Sequence, residues 1–433
     1  VVFKVGLLGL GTVGTGTAEI LLDSAGRHPL LQEVEIKRVG VRSLDKPRAV
    51  SFPPDTLTTD LEAVATDPEI EIVVELMGGL EPARMLILKA IAQGKHIVTA
   101  NKAVIARHGD EIFAAACDAG VYVLLEAAVG GGIPIVQPLK ESLGVNRIHR
   151  ITGIVNGTTN YILTQMSAVG ADFADVLAEA QQLGYAEANP TADVDGWDAA
   201  DKISILASIA FGGRIQREEL HCEGIRQVGA ADIAYAKQLG YVIKLLAIAQ
   251  QESDAGGALQ VRVHPTLLPI AHPLASINGV YNAILVEGKP IGQVMFFGPG
   301  AGAGPTASAV VSDIISIVGI LKSAKTNATL NPLLCIIRDR DCSLSPIEEL
   351  VARFYVRFLC DDRPGAMGHL GTCFGRHNVS LESVVQTGFQ GDLAEIVVVT
   401  HDVREKHFRQ ALDEIHSLSA LDKIAISSVL RVL

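Results

Sequence analysis

The sequence predicts an α/β protein in three parts: a doubly wound parallel sheet in residues 1–134, an α+β segment over 135–299, and a small α+β domain over 350–433. Three observations carry this expectation. The apolar run Lys4-Val5-Gly6-Leu7-Leu8 enters a glycine-rich turn, Gly9-Leu10-Gly11-Thr12-Val13-Gly14, and then a helix-like stretch. Short apolar strands alternate with helical stretches as far as Ala128. Near Arg353 the pattern resets into strand, turn, helix and strand.

The first turn matches GxGxxG. That pattern alone is a weak signal, but its context here is the required one: strand before, helix after, second strand at 34–41. Gly9, Gly11 and Gly14 permit a tight turn and let the backbone approach a pyrophosphate at the helix N-terminus. Further strands are expected at 70–77, 96–99 and 121–128. The second strand ends at Val41-Arg42-Ser43, where a site for NAD usually offers a carboxylate to the ribose hydroxyls. A guanidinium suits a 2′-phosphate instead, so Arg42 points to NADP. The alternative is that Arg42 is a solvated loop charge. Lys46 and Arg48 add positive potential nearby.

Composition narrows the class. With 48% hydrophobic and 19% charged residues, the chain reads as an ordinary soluble globular protein, expected in the cytoplasm. A net charge of −12 argues against a nucleic-acid partner, because phosphate binding needs a basic face. A strand starts within a few residues of the N-terminus, so no signal peptide is expected. No membrane span is expected either; the nearest run, 307–321, is short and carries Asp313. The six cysteines form no CxxC pair, so neither zinc nor a disulfide framework is indicated.

Gly130-Gly131-Gly132-Ile133-Pro134 is a breaker cluster that marks an exit from the first domain. The segment beyond it holds the most informative stretch, a carboxylate-rich turn over 184–196 that runs into a helix carrying Asp198 and Lys202. A spacing of four places both on one helix face, where a carboxylate can orient an ammonium. Lys202 can give or take the proton of a substrate hydroxyl during hydride transfer. Lys102, just after the strand at 96–99, lies at the carboxyl end of the sheet, where ligands of such sheets bind. Glu187 and Asp193 supply negative charge for a substrate amine; read alone, they equally suit a solvated acidic loop. A second glycine turn, 298–306, precedes a helix expected over 307–321, and 300–325 is expected to return to the first domain. Residues 326–349 read as a linker.

These motifs resemble the homoserine dehydrogenases, in the bacterial monofunctional form with a C-terminal ACT domain. The resemblance is carried by GLGTVGTG at 9–16, TANKA at 99–103, EAAVGGGIP at 126–134, GIVNGTTNYIL at 153–163, and LGYAEANPTADVDGWDAADK at 183–202. GPGAGAGPTASAVVSD at 298–313 and DDRPGAM at 361–367 extend it over essentially the whole chain. The family implies a Rossmann-type domain, a catalytic and dimerisation domain, and a ferredoxin-like ACT domain. It also implies reversible NAD(P)-dependent conversion of L-homoserine to L-aspartate 4-semialdehyde. By resemblance, Lys202 is the proton donor and acceptor, Glu187, Asp198 and Thr158 bind substrate, and Lys102 lies at the nicotinamide. Thr12, Val13, Gly184 and Gly302 sit at the cofactor. A sodium-type cation falls on Glu126, Val129, Gly131 and Ile133, largely through backbone oxygens. A homodimer or homotetramer and L-threonine as effector are expected, and a fused aspartate kinase is not.

Two other classes fit parts of the pattern. An aldehyde-oxidising relative needs an active thiolate, but Cys117 falls within an apparent helix. A non-enzymatic amino-acid sensor has no need of Asp198, Lys202 and the cofactor turn.

Overall fold

The computed structural model describes residues 2–252, 257–323, 330–336, 340–422 and 424–433. Its contacts divide the chain into two compact units. One comprises Val1–Ile151, Asp201–Glu219 and Asn282–Cys342; the other comprises Thr152–Ala200, Leu220–Tyr281 and Ser343–Leu433. The expected linker thus falls partly on 326–329 and 337–339, outside the described residues.

The first unit opens with β1 (Phe3–Leu8), α1 (Thr12–Leu22), β2 (Val34–Gly40), β3 (Leu57–Thr58), α2 (Leu61–Thr66), β4 (Ile72–Glu75), α3 (Ala83–Ala92), β5 (His96–Thr99), α4 (Lys102–Ala119) and β6 (Val123–Leu124). The strands form a parallel sheet in the order β3-β2-β1-β4-β5-β6. That is the doubly wound dinucleotide-binding order. Val5, Leu7, Ile72, Val74 and Val98 are all buried, as strands covered on both faces require. The expected strand at 121–128 is much shorter. After Leu124 the chain turns into a short 3-10 segment, Glu126–Ala128, because Glu126 is held from two sides. Its N–H donates to Asp313 at 2.8 Å, and its carboxylate accepts the N–H groups of Ile135, Val136 and Gln137.

The chain continues through α5 (Val136–Lys140), β7 (Arg147–Ile154), α6 (Gly157–Val169), α7 (Phe173–Gln182), α8 (Thr191–Val194), α9 (Trp197–Phe211) and β8 (Gly213–Arg214). In the second unit come β9 (His221–Cys222), α10 (Ala230–Gln238), β10 (Tyr241–Gln251) and β11 (Leu259–Pro269). The first unit then adds β12 (Tyr281–Lys289), β13 (Gly292–Pro299), α11 (Ala303–Ser323) and β14 (Arg340–Asp341), which pairs with β8 in parallel.

The helix α11 starts four residues before the expected 307. Gly304 and Pro305 lie in its first turn, where proline costs no hydrogen bond. At 21 residues it is long and apolar enough to cross a membrane by length and composition alone, and half of its apolar window is buried. Val310, Ile314 and Ile317 pack into the core of the β1–β6 sheet.

The C-terminal part is β15 (Val351–Asp361), α12 (Ala366–Arg376), β16 (Leu381–Gln390), β17 (Leu393–Thr400), β18 (Val403–Arg404), α13 (Glu405–Asp422) and β19 (Ala425–Val432). Two helices cover a sheet through Phe354, Phe358, Phe374 and Phe408, with Phe354 and Phe408 stacked at 4.1 Å. This sheet does not stand apart. In the second unit the order is β10-β11-β19-β15-β17-β16, and β19 pairs in parallel with β11 at Thr266↔Arg431 and Leu267↔Val432. Buried ion pairs fasten the same junction. Arg357 meets Asp232 on α10 and Glu395 on β17, both at 2.8 Å, and Arg431 meets Glu223 at 2.8 Å and also Glu405.

Asp313 carries a testable consequence. Burial, reinforced by the Glu126 charge, pushes its carboxyl up to about 8 from an ordinary 3.8. The folded state therefore keeps a proton that the unfolded chain releases above about pH 4. The stabilisation is present at acid pH and is lost as pH rises towards 8. Asn at this position can still accept the Glu126 N–H. Asp313→Asn should gain on the unmodified protein progressively between pH 5 and 8, read from urea melts. Parallel pH slopes for the two proteins would refute this assignment.

Candidate active site

The cofactor turn is built from backbone. Gly9 has φ +106°, and a Cβ on Gly14 would lie 2.3 Å from the Gly9 carbonyl oxygen, so the β1–α1 turn closes only with glycine at both positions. Gly11 is the N-cap of α1, and no side chain caps it. A Cβ there would meet nothing within 4 Å. Gly11 and Thr12 are exposed, and the first N–H groups of α1 have no acceptor within the helix, so the helix start above the glycine turn is a cradle that fits a pyrophosphate. Arg42 lies two residues beyond β2 and is exposed. Arg48 does not simply add potential: its guanidinium donates to the backbone carbonyls of Ser43, Leu44 and Lys46 and folds their loop.

Lys102 is the first residue of α4, at the carboxyl end of β5. Its place is set by a buried network that sequence reading missed. Asn101 caps α4 by accepting the Val104 N–H, and its Nδ2 donates to the Gly79 carbonyl at 2.7 Å. Glu75, at the end of β4, accepts the Thr99 hydroxyl at 2.8 Å and the Met77 N–H at 2.8 Å. Burial raises the Glu75 pKa, and these donors oppose the shift. The one legible sign of this network was Asn101 standing one residue before a helix.

The substrate-side residues gather around α6 and α8 in the second unit. Asp198 is buried near the start of α9, and Asp193 is half-buried in α8. The Asn156 side chain reaches both carboxylates. Thr158, the second residue of α6, donates its hydroxyl to the Tyr185 carbonyl at 2.6 Å and so anchors the loop that follows α7. In that loop Gly184 has φ +76°, and Glu187 is exposed, with its carbonyl held by Gln181 at 3.0 Å.

Lys202 follows Asp198 by one turn on α9 and is likewise buried. Within the first unit the adjacent Asp201 pairs with Arg217 and, at 3.7 Å, with Arg107, which fixes that stretch of helix. Gly302 has φ +119° and immediately precedes α11.

The expected cation residues Glu126, Val129, Gly131 and Ile133 form one buried turn. The Glu126 carboxylate is already engaged by three N–H groups, and its backbone carbonyl accepts the Val129 N–H at 3.5 Å, so a cation here would share that carbonyl. Gly131 has φ +58°, and a Cβ there would lie 2.4 Å from the Gly300 carbonyl oxygen. Among the described residues no group of three or more His, Cys, Asp or Glu could hold a metal, so a cation here has to rely on carbonyls. Among the cysteines, Cys117 lies exposed on α4, and Cys360 and Cys373 are buried; among the described residues no cysteine is in a disulfide.

Residues 9–126 match the homoserine dehydrogenase NAD-binding domain, residues 134–315 match homoserine dehydrogenase, and residues 354–420 match the ACT domain. The homoserine dehydrogenase of Synechocystis sp. is 68% identical over 431 residues, which is 99% of each chain. That of Bacillus subtilis is 40% identical over 425 residues, 97% of this chain and 96% of its own. The crystal structure of a homoserine dehydrogenase from Thiobacillus denitrificans aligns with a TM-score of 0.90 at 42% identity, covering 100% of this chain and 98% of the other. A hyperthermophilic archaeal homoserine dehydrogenase in complex with NADPH aligns over 74% of this chain and 98% of its own, with a TM-score of 0.61 at 28% identity. With a relative 68% identical over 99% of its length and both homoserine dehydrogenase domains matched, the chain belongs to the homoserine dehydrogenase family of nicotinamide-dependent oxidoreductases.

Proposed function

We propose that the protein interconverts L-homoserine and L-aspartate 4-semialdehyde in the route to threonine, methionine and isoleucine, with NADP as the preferred cofactor. The observation that carries this reading is α9, which places two buried groups of opposite charge, Asp198 and Lys202, four residues apart. Glu187, Asp193 and Asp198 receive the homoserine ammonium, and the Thr158 hydroxyl contributes to the same pocket. Bound in the glycine turn of β1 and α1, the nicotinamide cofactor would supply the hydride acceptor, or in its reduced form the donor, for the substrate carbinol carbon. Lys202 takes the hydroxyl proton as the carbonyl forms, and returns it to the carbonyl oxygen in the reducing direction. Lys102 polarises that oxygen. The carbonyls of Glu126, Val129, Gly131 and Ile133 would hold a monovalent cation such as sodium, which would brace the turn beside α5. The working form is a cytoplasmic homodimer or homotetramer.

Reduced-nicotinamide absorbance with homoserine and NADP tests the activity. Lys202→Ala should lower kcat by about 10²- to 10⁴-fold while NADPH binding persists. Turnover near that of the unmodified enzyme would pass the proton role to Lys102 or to water.

For cofactor choice, the exposed guanidinium of Arg42 beyond β2 supports NADP. Arg42→Ala should raise KM for NADP and leave KM for NAD nearly unchanged. An unmodified enzyme that used NAD better would overturn the preference.

L-Threonine is the proposed effector, at the turn between β15 and α12. Gly365 there has φ +100° and caps α12, and Asp362 accepts from Gln386 at 3.1 Å. The turn and the helix start suit a carboxylate, and Asp361 or Asp362 suits an amine. Deleting everything after residue 346, the obvious test from sequence, would strip β19 from β11 and leave Asp232 and Glu223 without their arginines. Point variants of the full chain avoid that damage. Asp361→Ala or Asp362→Ala should keep basal turnover and lose the response to threonine. An unmodified enzyme that neither bound nor responded to millimolar threonine would leave the ACT part structural.

A further inference from the structure

We propose that Asn156 is a positioning residue for this reaction: its side-chain amide holds the carboxylates of Asp193 and Asp198 together as one receptor for the substrate ammonium. The inference rests on the reading of those two carboxylates as substrate-binding groups.

Asn156 stands between β7 and α6 and is buried, 5% exposed. The two ends of its amide have separate partners. Oδ1 accepts the Thr159 N–H at 2.8 Å and the Thr159 hydroxyl at 2.9 Å, which caps α6. An oxygen committed to a backbone N–H fixes which end of the amide is nitrogen, since a flipped amide would set donor against donor. Nδ2 then donates to Asp193 Oδ1 at 2.7 Å and to Asp198 Oδ2 at 2.9 Å. Both of its N–H bonds are thereby used.

One planar group thus ties the start of α6 to α8 and to α9, the helix that also carries Lys202. It brings two carboxylate oxygens to a common donor, which offsets part of their mutual repulsion. The anchor itself has little freedom. A Cβ on Gly157 would lie 2.7 Å from the Val280 carbonyl oxygen, so the backbone just after Asn156 is pinned against its neighbour. A fixed donor on one carboxylate oxygen limits where Asp198 can aim, and Asn156 supplies such a donor.

The test separates the cap from the donor. Asn156→Ser and Asn156→Asp both keep an oxygen able to cap α6, and neither keeps the NH2 group. With the full-length enzyme, homoserine and NADP, Asn156→Ser should lower kcat/KM for homoserine about ten- to a hundredfold. KM for NADP and the thermal midpoint should stay near those of the unmodified enzyme. Asn156→Asp should lose more, because a third carboxylate then faces the other two. Unchanged homoserine kinetics in both variants would make Asn156 a helix cap only and overturn the proposal. A loss that tracks a fall in thermal midpoint, with NADP affected equally, would overturn it too. Asp198→Asn serves as the control: if it leaves homoserine kinetics intact, the substrate reading itself fails and takes the proposal with it. If Asp198→Asn is harmful, adding Asn156→Ser to it should cost clearly less than Asn156→Ser alone, and full additivity would overturn the proposal.

Discussion

A carboxylate taken out of water has to be met by donors, and the placement of nearly every important element in this chain answers that requirement. Glu126 is met by three N–H groups at the start of α5. Glu75 is met by Thr99 and by the backbone beyond β4. Asp193 and Asp198 share the amide of Asn156, and Asp232 takes Arg357 and the Tyr355 hydroxyl. In each case the donor belongs to a different element from the carboxylate, so satisfying the charge also fixes where two elements meet. Removing one partner of such a set is costly, because the other is left buried and unpaired.

The ACT part illustrates the consequence for architecture. By composition it is a self-sufficient small domain with its own phenylalanine core. In the fold, its last strand extends the sheet of β10 and β11. Arg431 on that strand meets Glu223, whose own N–H donates to Val263 on β11. The carboxylate of Glu223 is held well below the ordinary range by His221 and Arg431, despite a burial cost that works the other way. One residue on, the chain presses against the substrate-side turn: a Cβ on Gly224 would lie 2.1 Å from the Val194 carbonyl oxygen, and Ile225 donates to that same oxygen at 2.8 Å. The C-terminal sheet and the Asp193 turn are therefore separated by a short run of packed backbone.

Much was legible in the chain itself. The glycines of the first turn, the alternation of strand and helix, the four-residue spacing of Asp198 and Lys202, and the reset near Arg353 are local signals, and each corresponds to an element in the structure. The misreadings are also local in origin. A glycine-rich stretch around 300 looked like turn throughout, yet α11 begins at Ala303. The apolar run after Val121 looked like a full strand, yet Glu126 ends it by bonding to residues far along the chain.

The sequence by itself determined the element order, the cofactor turn and the helix that bears the proposed acid–base pair, because glycine stereochemistry and helical periodicity act over a few residues. Only the tertiary structure decided that Asn156 stands between Asp193 and Asp198, that Asn101 and Glu75 set the place of Lys102, and that β19 closes on β11. Those are contacts between residues tens to hundreds of positions apart. Their partners are chosen by which buried charges must find donors once the core has formed, and no periodicity along the chain records that choice.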